Sequence, residues 1–509
     1  MEKKIVNTTF YITLIGVITK LIGFVKQTVI ANFYGATGQT DAFFLSSGFV
    51  SDTSYLICTT LSITFLSMYI DSKNNETEER RSAFTSSVIM VFEMLAFIVG
   101  VLIYVFSPQI SSFLAVGYDA EQLVSVVKYM HLFSFLIMLQ VLITILGTVL
   151  NAEKKFLPYQ MIGAIQSIVI IFSIFCFSGK IGIYALVVSF ILAYFCQFLF
   201  LCLFAKKYIR VVITNPLKDS RIKKLFRLIA PLLISYGITE INQIVDKMVS
   251  TYLGEGVLSA LSYSQVINSS INQLFVVSVG TVIFSYFTDY VSKGKEKEIK
   301  ESLGQMLVLV SMILLPISIM LAFDAKEIVR VVYERGSFDQ TAVNNTALAQ
   351  TGYAFGLCFL GIRELLIRTH YAYQDTKRPT ITSVISVLSN ILLSVVLSRY
   401  IGILGITLAS SISIGISVIL LSITLRRHIK ELKEILFLNK KKYMKIACAA
   451  FSLVFYSILL GKAGLNFYLE LMLLLIGGGS IYLLVLCLLR MEEVTSVVNI
   501  IAVKLKIKK

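Results

Sequence analysis

The sequence predicts an all-α polytopic membrane protein, with fourteen transmembrane helices arranged as two pseudo-symmetric six-helix lobes plus a C-terminal helix pair. Composition is the first observation behind this prediction. Of the 509 residues, 56% are hydrophobic and 15% are charged, whereas soluble proteins average about 45–50% and about 25%. A series of long apolar segments and a half-length internal repeat are the second and third. A soluble enzyme or a nucleic-acid-binding domain is therefore a poor interpretation, despite the net charge of +16.

Fourteen segments are apolar enough and long enough to cross the hydrocarbon core, which takes about 20 residues of helix. They are predicted at 8–33, 42–70, 84–107, 123–149, 159–178, 182–205, 228–252, 257–290, 302–324, 342–370, 380–399, 403–425, 445–463 and 466–489. The first, second, seventh, eighth and tenth are polar for membrane helices. Because polar groups facing lipid are costly, these five segments should line a protein-enclosed, wet cavity.

The basic residues orient these segments. With the N-terminus in the cytoplasm, thirty-four of the 46 Lys and Arg residues fall in inside segments, six fall outside and six lie within spans. Positive residues concentrate in short cytoplasmic loops, so both termini are predicted to be cytoplasmic. Two long inside segments carry eight basic residues each, which favours contact with anionic headgroups and leaves a docking enzyme as the alternative.

Segments in the two halves of the chain resemble one another at an offset of about 220 residues. The pairs are YGATGQTDAFFLSS (34–47) with LGEGVLSALSYS (253–264), EKKFLP (153–158) with DTKRP (375–379), and KIGIYALVVS (180–189) with YIGILGITLAS (400–410). The offset spans six segments, an even number, so both copies share one orientation in the membrane. The predicted organisation is an N-terminal lobe at 1–205, a basic linker at 206–227, a C-terminal lobe at 228–425, a basic connection at 426–445, and the last helix pair with a basic tail at 446–509.

Ionisable side chains inside a span are costly and by default indicate a substrate or ion path. Lys20 lies near the middle of the first span, and Lys26 lies about 9 Å further along the axis at 1.5 Å per residue. A lysine near a helix end can extend to the headgroup region, which is the alternative for Lys26. That route is strained for Lys20, so the pair favours a cationic cavity for an anionic substrate.

Spans seven and ten also carry charge. In span seven, Glu240, Asn242, Asp246 and Lys247 leave two interpretations open, which are a site for a hard cation or proton and a neutralised structural pair involving Lys247. In span ten, an ion pair is predicted one helical turn apart, between Glu364 and Arg368. Arg363 points elsewhere on that helix and is a candidate to enter the cavity.

Catalytic chemistry has little support in the sequence. No GxxxxGK[ST] phosphate loop is present. The histidines, His131, His370 and His428, are too dispersed to indicate a zinc site or a catalytic triad, and the seven cysteines lie in apolar stretches without a CxxC pair. The chain is therefore predicted to be a transporter rather than an enzyme, with no cofactor, driven by an ion gradient, the membrane potential or consumption of its product.

Four segments carry a family resemblance: LIGFVKQTVIANFYGATGQTDAFF (21–44), LNAEKKFLP (150–158), YERGSFD (333–339) and RTHYAYQDTKRP (368–379). They resemble the MurJ (MviN) family, which comprises lipid II flippases of the multidrug/oligosaccharidyl-lipid/polysaccharide (MOP) exporter superfamily. The resemblance covers essentially the whole chain, including the last two spans. It implies the MOP exporter fold, the bacterial cytoplasmic membrane, and a central cavity whose cationic residues hold the diphosphate of an undecaprenyl-linked sugar.

On matching positions, the resemblance implies a set of substrate-binding residues. The candidates are Lys20, Lys26, Asp41 and Arg363. The two lysines stand where the family typically has arginines, so the charge is kept but the bidentate fork that suits phosphate is lost. Two further family arginines are replaced near Ser54 and near Val266, which leaves the substrate's identity open.

The resemblance also suggests a sodium site, because some family members bind sodium in the second lobe. The candidate ligands are Asp246, Asn390 and Ser410. Ser394 replaces an expected carboxylate, so coupling to sodium or to protons is left open. In the last two spans, the resemblance suggests a hydrophobic groove for the lipid tail.

The residues and the resemblance together predict a flippase that moves lipid II from the inner to the outer leaflet by alternating access. The alternatives are an exporter of another polyprenyl-diphosphate-linked unit, for a capsule or exopolysaccharide, and a cation-coupled drug antiporter. A membrane scaffold would not explain charge at mid-membrane. The expected partners are the lipid-linked sugar diphosphate and anionic membrane lipids, with cell-wall synthesis enzymes as further candidates. A monomer that binds no nucleic acid is expected.

Overall fold

The structure is a computed structural model that describes residues 2–216, 219–272, 287–291, 293–429, 439–463 and 466–495. Within these ranges all regular structure is helical and no strand occurs. A helix satisfies its backbone polar groups within its own segment, which is what a hydrocarbon environment requires. The all-α prediction is confirmed for the described ranges.

The helices are numbered here in chain order. They are α1 (Glu2–Tyr34), α2 (Gly38–Asn75), α3 (Glu78–Leu114), α4 (Ala120–Phe133), α5 (Leu136–Ala152), α6 (Phe156–Ile181), α7 (Tyr184–Ala205), α8 (Ser220–Thr251), α9 (Val257–Ile271), α10 (Glu296–Phe323), α11 (Ala325–Tyr333), α12 (Gln340–Ala372), α13 (Lys377–Ile401), α14 (Ile403–Leu425), α15 (Lys440–Gly461), α16 (Phe467–Met472) and α17 (Gly479–Leu488). A π-helical segment, Leu473–Gly478, joins α16 to α17.

Eleven helices of the described ranges are long and apolar enough to cross a membrane, or twelve if α4 and α5 count as one span with a bend of 41°. Helix α12 has the length of a span, with 33 residues, but polar side chains along it keep it out of this count. Predicted span eight, at 257–290, lies partly outside the described residues. The multi-span prediction is confirmed, and the number fourteen stays a prediction.

The chain divides into two compact units. The first unit is Met1–Ser262 with Arg335–Asp339, and the second is Tyr263–Glu334 with Gln340–Lys509. In the first unit, α2 packs against α4, α5 and α8, and α6 packs against α1 and α7. In the second, α14 packs against α12 and α13, and α10 packs against α12 and α15. The lobe boundaries drawn from the repeat stay a prediction.

The internal repeat is visible in the backbone at an offset of about 220 residues. Lys154 and Gln374 both adopt the left-handed conformation, with φ of 57° and 59°. Gly182 and Gly402 have φ of 56° and 60°, and each directly follows the last residue of α6 or α13. Because glycine enters this region at no steric cost, it can end a helix sharply.

The hydrogen bonds that follow α5 and α12 repeat as well. The Lys155 N–H donates to the Leu150 carbonyl at 2.8 Å, and the Asp375 N–H donates to the His370 carbonyl at 3.0 Å. The turns that follow α5 and α12 therefore share one backbone conformation, as do those that follow α6 and α13.

Aromatic packing fixes α2 in the first unit. Phe43 is fully buried and makes edge-to-face contacts with Phe133 of α4 and Phe190 of α7, with ring centres 5.8 and 5.0 Å apart. Such pairs stabilise by about 0.5–1.5 kcal/mol beyond the burial of their area. The contacts hold α2 with one face turned toward the interior of this unit.

Candidate functional site

A polar cavity of about 850 Å³ lies inside the first unit, between α2, α5, α6, α7 and α8. Ligand sites in proteins commonly measure about 300–1,000 Å³. Most of the lining side chains end in a hydroxyl, an amide or a phenol: Ser51, Tyr55, Thr59, Ser62, Gln140, Thr144, Tyr159, Gln166, Tyr194, Gln197, Tyr236, Thr239 and Gln243. Asp52 and Glu240 add two carboxylates, and no Lys or Arg is among the described lining residues.

The lining of the cavity follows from helical spacing. On α2, Asp52, Tyr55, Thr59 and Ser62 recur every three or four residues and therefore share one face. Of the five polar spans, spans two and seven, which are α2 and α8, contribute residues to this lining. Helices α5, α6 and α7 also contribute, and their isolated Gln and Tyr residues gave only a weak sequence signal among apolar neighbours.

An ion pair joins α2 to α8 at the cavity wall. The Lys247 ammonium donates to the Asp52 carboxylate, and both side chains are mostly buried. A Cβ at Gly48 would lie 2.7 Å from Lys247 Nζ, so the missing side chain makes room for the lysine. The sequence suggested a partner for Lys247 on its own helix and not Asp52, although an aspartate within predicted span two was the available signal.

The two lysines of α1 lie elsewhere in the first unit. The Lys26 ammonium is 5.7 Å from the centre of the Phe190 ring, within the range of a cation–π contact, and Lys20 is exposed. Neither lysine is among the described residues that line the cavity. Their predicted role in binding a diphosphate stays a prediction.

Asp41 is fully buried and caps the first turn of α9. Its Oδ2 accepts a hydrogen bond from the Gly256 N–H at 2.6 Å, and its Oδ1 accepts from the N–H of Ser259 at 2.7 Å and from the Ser259 hydroxyl. The first turn of a helix has unpaired N–H groups and a partial positive charge. A carboxylate is therefore well matched to this position.

A second carboxylate, from a residue just before α9, caps the start of α2 in return. Glu255 lies just before α9, and its Oε1 accepts a hydrogen bond from the Gly38 N–H at the start of α2, at 2.6 Å. Each helix start is thus held by a carboxylate of the other, and we call this contact, formed by Asp41 and Glu255, the reciprocal cap. It joins the two copies of the repeat, because it lies within 34–47 and 253–264.

The YERGSFD motif docks on the end of α1. The Ser337 N–H donates to the Asn32 carbonyl at 2.8 Å, and the Ser337 hydroxyl donates to the Phe33 carbonyl at 3.1 Å. A Cβ at Gly336, where φ is +54°, would lie 2.3 Å from the Asn32 carbonyl oxygen. Only glycine allows this approach, which explains the glycine of the motif.

In the second unit, Arg363 contacts hydroxyl groups of its neighbours. Its Nε donates to the Ser417 hydroxyl at 3.1 Å and its Nη2 to the Ser383 hydroxyl at 3.3 Å. The predicted ion pair between Glu364 and Arg368 is confirmed, with a separation of 2.9 Å. The proposed contact of Arg363 with substrate stays a prediction.

Two of the three predicted sodium ligands lie together. The Asn390 amide donates to the Ser410 hydroxyl at 2.9 Å, and the Ser394 hydroxyl donates to the Asn390 carbonyl oxygen at 3.3 Å. Asp246, the third, lies on α8 in the first unit. The sodium site stays a prediction.

Membrane-spanning helices, an internal repeat and a polar cavity bounded by paired charges define a polytopic α-helical transporter. The family described as "Lipid II flippase MurJ" matches residues 30–475. The chain belongs to the MurJ family.

Relatives match along nearly the full length. The "Probable lipid II flippase MurJ" of Borreliella burgdorferi is 26% identical over 493 residues, which cover 95% of this chain and 96% of the relative. A protein of the same name from Thermotoga maritima is 24% identical, over 94% of this chain and 96% of the relative. The chain is accordingly a multi-pass protein of the bacterial inner membrane.

Solved structures show the same fold. One titled "Lipid II flippase MurJ, inward closed conformation" superposes with a TM-score of 0.80 at 24% identity, over 94% of this chain and 98% of that one. An inward-facing multidrug resistance MATE family transporter of the MOP superfamily gives 0.68 at 14% identity, over 82% and 96%. The expected MOP exporter fold is confirmed.

Proposed function

We propose that this chain translocates lipid II from the inner to the outer leaflet of the bacterial cytoplasmic membrane by alternating access. Membership of the MurJ family supports the substrate class. The polar cavity of the first unit is the observation that carries the proposal, because a glycopeptide headgroup needs many neutral hydrogen-bonding partners while it crosses a region without water.

The cavity chemistry suits such a headgroup. Hydroxyl and amide side chains both donate and accept hydrogen bonds, so they can replace the water around sugar and peptide groups. The described lining contains no basic group, and its carboxylates include Asp52, which Lys247 neutralises. The cavity therefore fits the saccharide and peptide part, and the diphosphate needs cations outside this lining, for which Lys20 and Lys26 are the candidates.

The reciprocal cap supplies an element that can open. Charge-assisted hydrogen bonds of this kind contribute about 1.5–3 kcal/mol each, so a few of them hold one conformation without making it permanent. With the N-terminus in the cytoplasm, the starts of α2 and α9 lie at the outer side. The cap then closes the outer exit, and release of the substrate requires Asp41 and Glu255 to leave the two helix starts.

We also infer the finer topology. Besides the apolar helices that can span a membrane, three predicted spans remain: the bent pair α4 and α5, helix α12, and the segment that begins with α9. Counting each of these as one span gives fourteen, in two six-helix lobes plus a pair, with both termini cytoplasmic. Reporter fusions after the last residue test the side of the C-terminus, and an extracellular reporter signal would contradict this topology.

Replacement in cells depleted of their own lipid II flippase tests the proposal. Gln166→Trp puts a large side chain into the cavity, and Ile168→Trp puts the same side chain on the exposed side of the same helix, where Ile168 is 54% exposed. The wild type and Ile168→Trp should restore growth at equal membrane abundance, and Gln166→Trp should not. Growth restored by Gln166→Trp would show that the substrate does not use this cavity.

The cationic part of the site is tested in the same cells. We expect the double variant Lys20→Ala, Lys26→Ala to fail in replacement, and Lys128→Ala, which removes another lysine from the first unit, to succeed. Normal growth with the double variant would remove the two lysines from the mechanism.

An exporter of another polyprenyl-diphosphate-linked glycan is the second candidate. Ser54 favours this second candidate, because the family typically has an arginine near this position and this chain has a buried serine instead. The Ser54 hydroxyl donates to the Val50 carbonyl at 2.7 Å within its own helix. If the wild-type chain does not restore growth, and its deletion abolishes export of a surface glycan, this candidate replaces lipid II.

A further inference from the structure

Two of the three histidines of the chain meet at one carboxylate in the second unit. His370 Nδ1 lies 3.2 Å from Asp375 Oδ2, and His428 Nε2 lies 3.1 Å from the same oxygen. His370 is in the last turn of α12, Asp375 is in the turn before α13, and His428 follows α14. In the sequence the histidines are too dispersed to indicate a zinc site or a catalytic triad, but the fold brings these two together.

The surroundings of His370 determine which of its nitrogens carries hydrogen. His370 Nε2 lies 3.3 Å from the Leu421 carbonyl oxygen and 3.2 Å from the Thr424 hydroxyl. Thr424 donates its own hydrogen to Leu421 at 3.1 Å, so both oxygens are acceptors and Nε2 is the donor. In the neutral tautomer with hydrogen on Nε2, Nδ1 carries the lone pair that a metal ion would take, and a backbone contact that favours this tautomer is typical of histidines that bind metal ions.

A single cation now occupies the meeting point. Arg378 Nη1 lies 2.6 Å from Asp375 Oδ2 and 3.0 Å from His428 Nε2. A guanidinium group can only donate, so His428 Nε2 accepts in this contact. The Tyr373 ring stacks on the His428 ring, with centres 4.7 Å apart and planes at 16°, which holds the imidazole in this orientation.

We propose that His370 Nδ1, Asp375 Oδ2 and His428 Nε2 form a binding site for a divalent transition-metal ion such as Zn²⁺, and that Arg378 holds the site in the metal-free protein and moves aside when the ion binds. The three ligand atoms lie within 4.8 Å of one another. Tetrahedral zinc with bonds of about 2.0–2.1 Å places its ligand atoms about 3.3 Å apart, so only small movements are needed.

The ligand set determines the kind of metal. Two neutral imidazoles and one carboxylate favour Zn²⁺, Co²⁺ or Ni²⁺ over Mg²⁺ and Ca²⁺, which prefer all-oxygen sites. Arg378 can leave, because its side chain is 27% exposed. Asp375 keeps its other role meanwhile, since its Oδ1 accepts from the Arg378 N–H at the start of α13, at 3.3 Å. The bound ion would tie the turn between α12 and α13 to the end of α14.

Cobalt binding to the purified full-length chain, in nanodiscs and without a histidine tag, tests the site. We expect one equivalent of Co²⁺ to bind with the visible absorption of tetrahedral coordination, and Zn²⁺ to displace it. His428→Gln and Asp375→Asn should each lower the Co²⁺ affinity roughly tenfold or more. His131→Gln, which removes the third histidine from the first unit, should leave the affinity unchanged.

Arg378→Met provides the decisive variant, because it removes the competing cation and keeps the ligands. We expect it to bind Co²⁺ more tightly than the wild type. The proposal is overturned if the wild type shows no tetrahedral spectrum at one equivalent, if His428→Gln and Asp375→Asn bind as well as the wild type, or if Arg378→Met binds no more tightly. Size-exclusion profiles that match the wild type establish that each variant is folded.

Discussion

Helices α5–α7 and α12–α14 share the conformation of their connecting turns, but equivalent positions carry different chemistry. In the first copy, Ile143, Gly163 and Gln197 line the polar cavity. Their counterparts in the second copy are Arg363, Ser383 and Ser417, and Arg363 donates a hydrogen bond to each of the two serines. The same three positions thus border open space in one unit and hold a guanidinium group in the other.

The ends of the two copies differ in the same way. At the end of the first copy lies a pocket of about 780 Å³ whose lining includes Lys154, Lys155 and Lys207. The corresponding end of the second copy holds His370, Asp375 and His428 in direct contact. The two copies keep the same turn geometry, but their side chains differ. The repeat therefore conserves the backbone turns and not the binding sites.

The largest expected effect concerns the spacing of the helices. Gly405 of α14 corresponds to Ala185, which is fully buried in the first copy. A Cβ at Gly405 would lie 2.4 Å from the Leu397 carbonyl carbon. Gly405→Ala should therefore lower the free energy of unfolding by about 1–3 kcal/mol, measured by thermal unfolding in detergent with a thiol-reactive dye.

Gly415→Ala is the matched control on the same helix, since its nearest neighbour, the Phe359 ring, is 3.8 Å away. This variant should be as stable as the wild type or up to about 1 kcal/mol more stable, because alanine is the better helix former. If Gly405→Ala is as stable as Gly415→Ala, the helices of the second copy are not more closely spaced at this position than those of the first copy.

The next effect concerns the charged end of the second copy. Asp375→Asn removes the charge that receives the hydrogen bonds of Arg378, and should cost about 1–3 kcal/mol of unfolding free energy at neutral pH. Lys155→Gln, at the equivalent position of the first copy, removes an exposed charge and serves as the control. Equal unfolding temperatures for the two variants would show that the contacts of Asp375 with Arg378 do not stabilise this end of the second copy.

The pH dependence of this variant has a defined sign. Burial raises the pKa of Asp375, but the hydrogen bonds that it receives, including those from the Arg378 side chain and backbone, hold this pKa well below its usual range. A lowered pKa contributes stability above the unfolded pKa of about 3.9 and loses it as the pH falls toward the folded value. The stability gap between wild type and Asp375→Asn should shrink as the pH falls below about 4, in thermal unfolding series. A gap that shrinks near pH 6 would mean that another group controls it.

A smaller effect should be equal in the two copies. Lys154 and Gln374 both adopt the left-handed conformation, which is unfavourable for any residue with a Cβ. Lys154→Gly and Gln374→Gly should each raise the free energy of unfolding by about 0.5–1 kcal/mol, after the greater flexibility of glycine in the unfolded chain is deducted. If the free energy of unfolding rises in one variant and falls in the other, the two turns do not share one conformation.

The smallest effect is expected in the lysine pocket of the first copy. Lys207 is exposed, so Lys207→Gln should change the free energy of unfolding by less than about 0.5 kcal/mol. A larger loss in the thermal unfolding assay would show that this end, too, holds a network of charges.

Sequence reasoning predicted much of the fold and less of the site. The sequence was enough to predict the apolar spans, the repeat and the polar character of spans two and seven, because each is a property of one segment or of the spacing between segments. The pairing of Lys247 with Asp52 was not readable, since the partners lie on different helices. The same holds for the contact between His370 and His428, which the tertiary fold alone creates.

By itself, the sequence determined that this chain is a helical membrane protein of the MurJ family, because hydrophobic length and local motifs act within single segments. Tertiary structure decided where the chemistry lies: Asp41 in the reciprocal cap, Asp52 at the cavity wall, Arg363 between two serines and Asp375 between two histidines. The physical reason is that the energy of a buried charge depends on its partners, and helix packing chooses those partners from distant parts of the chain.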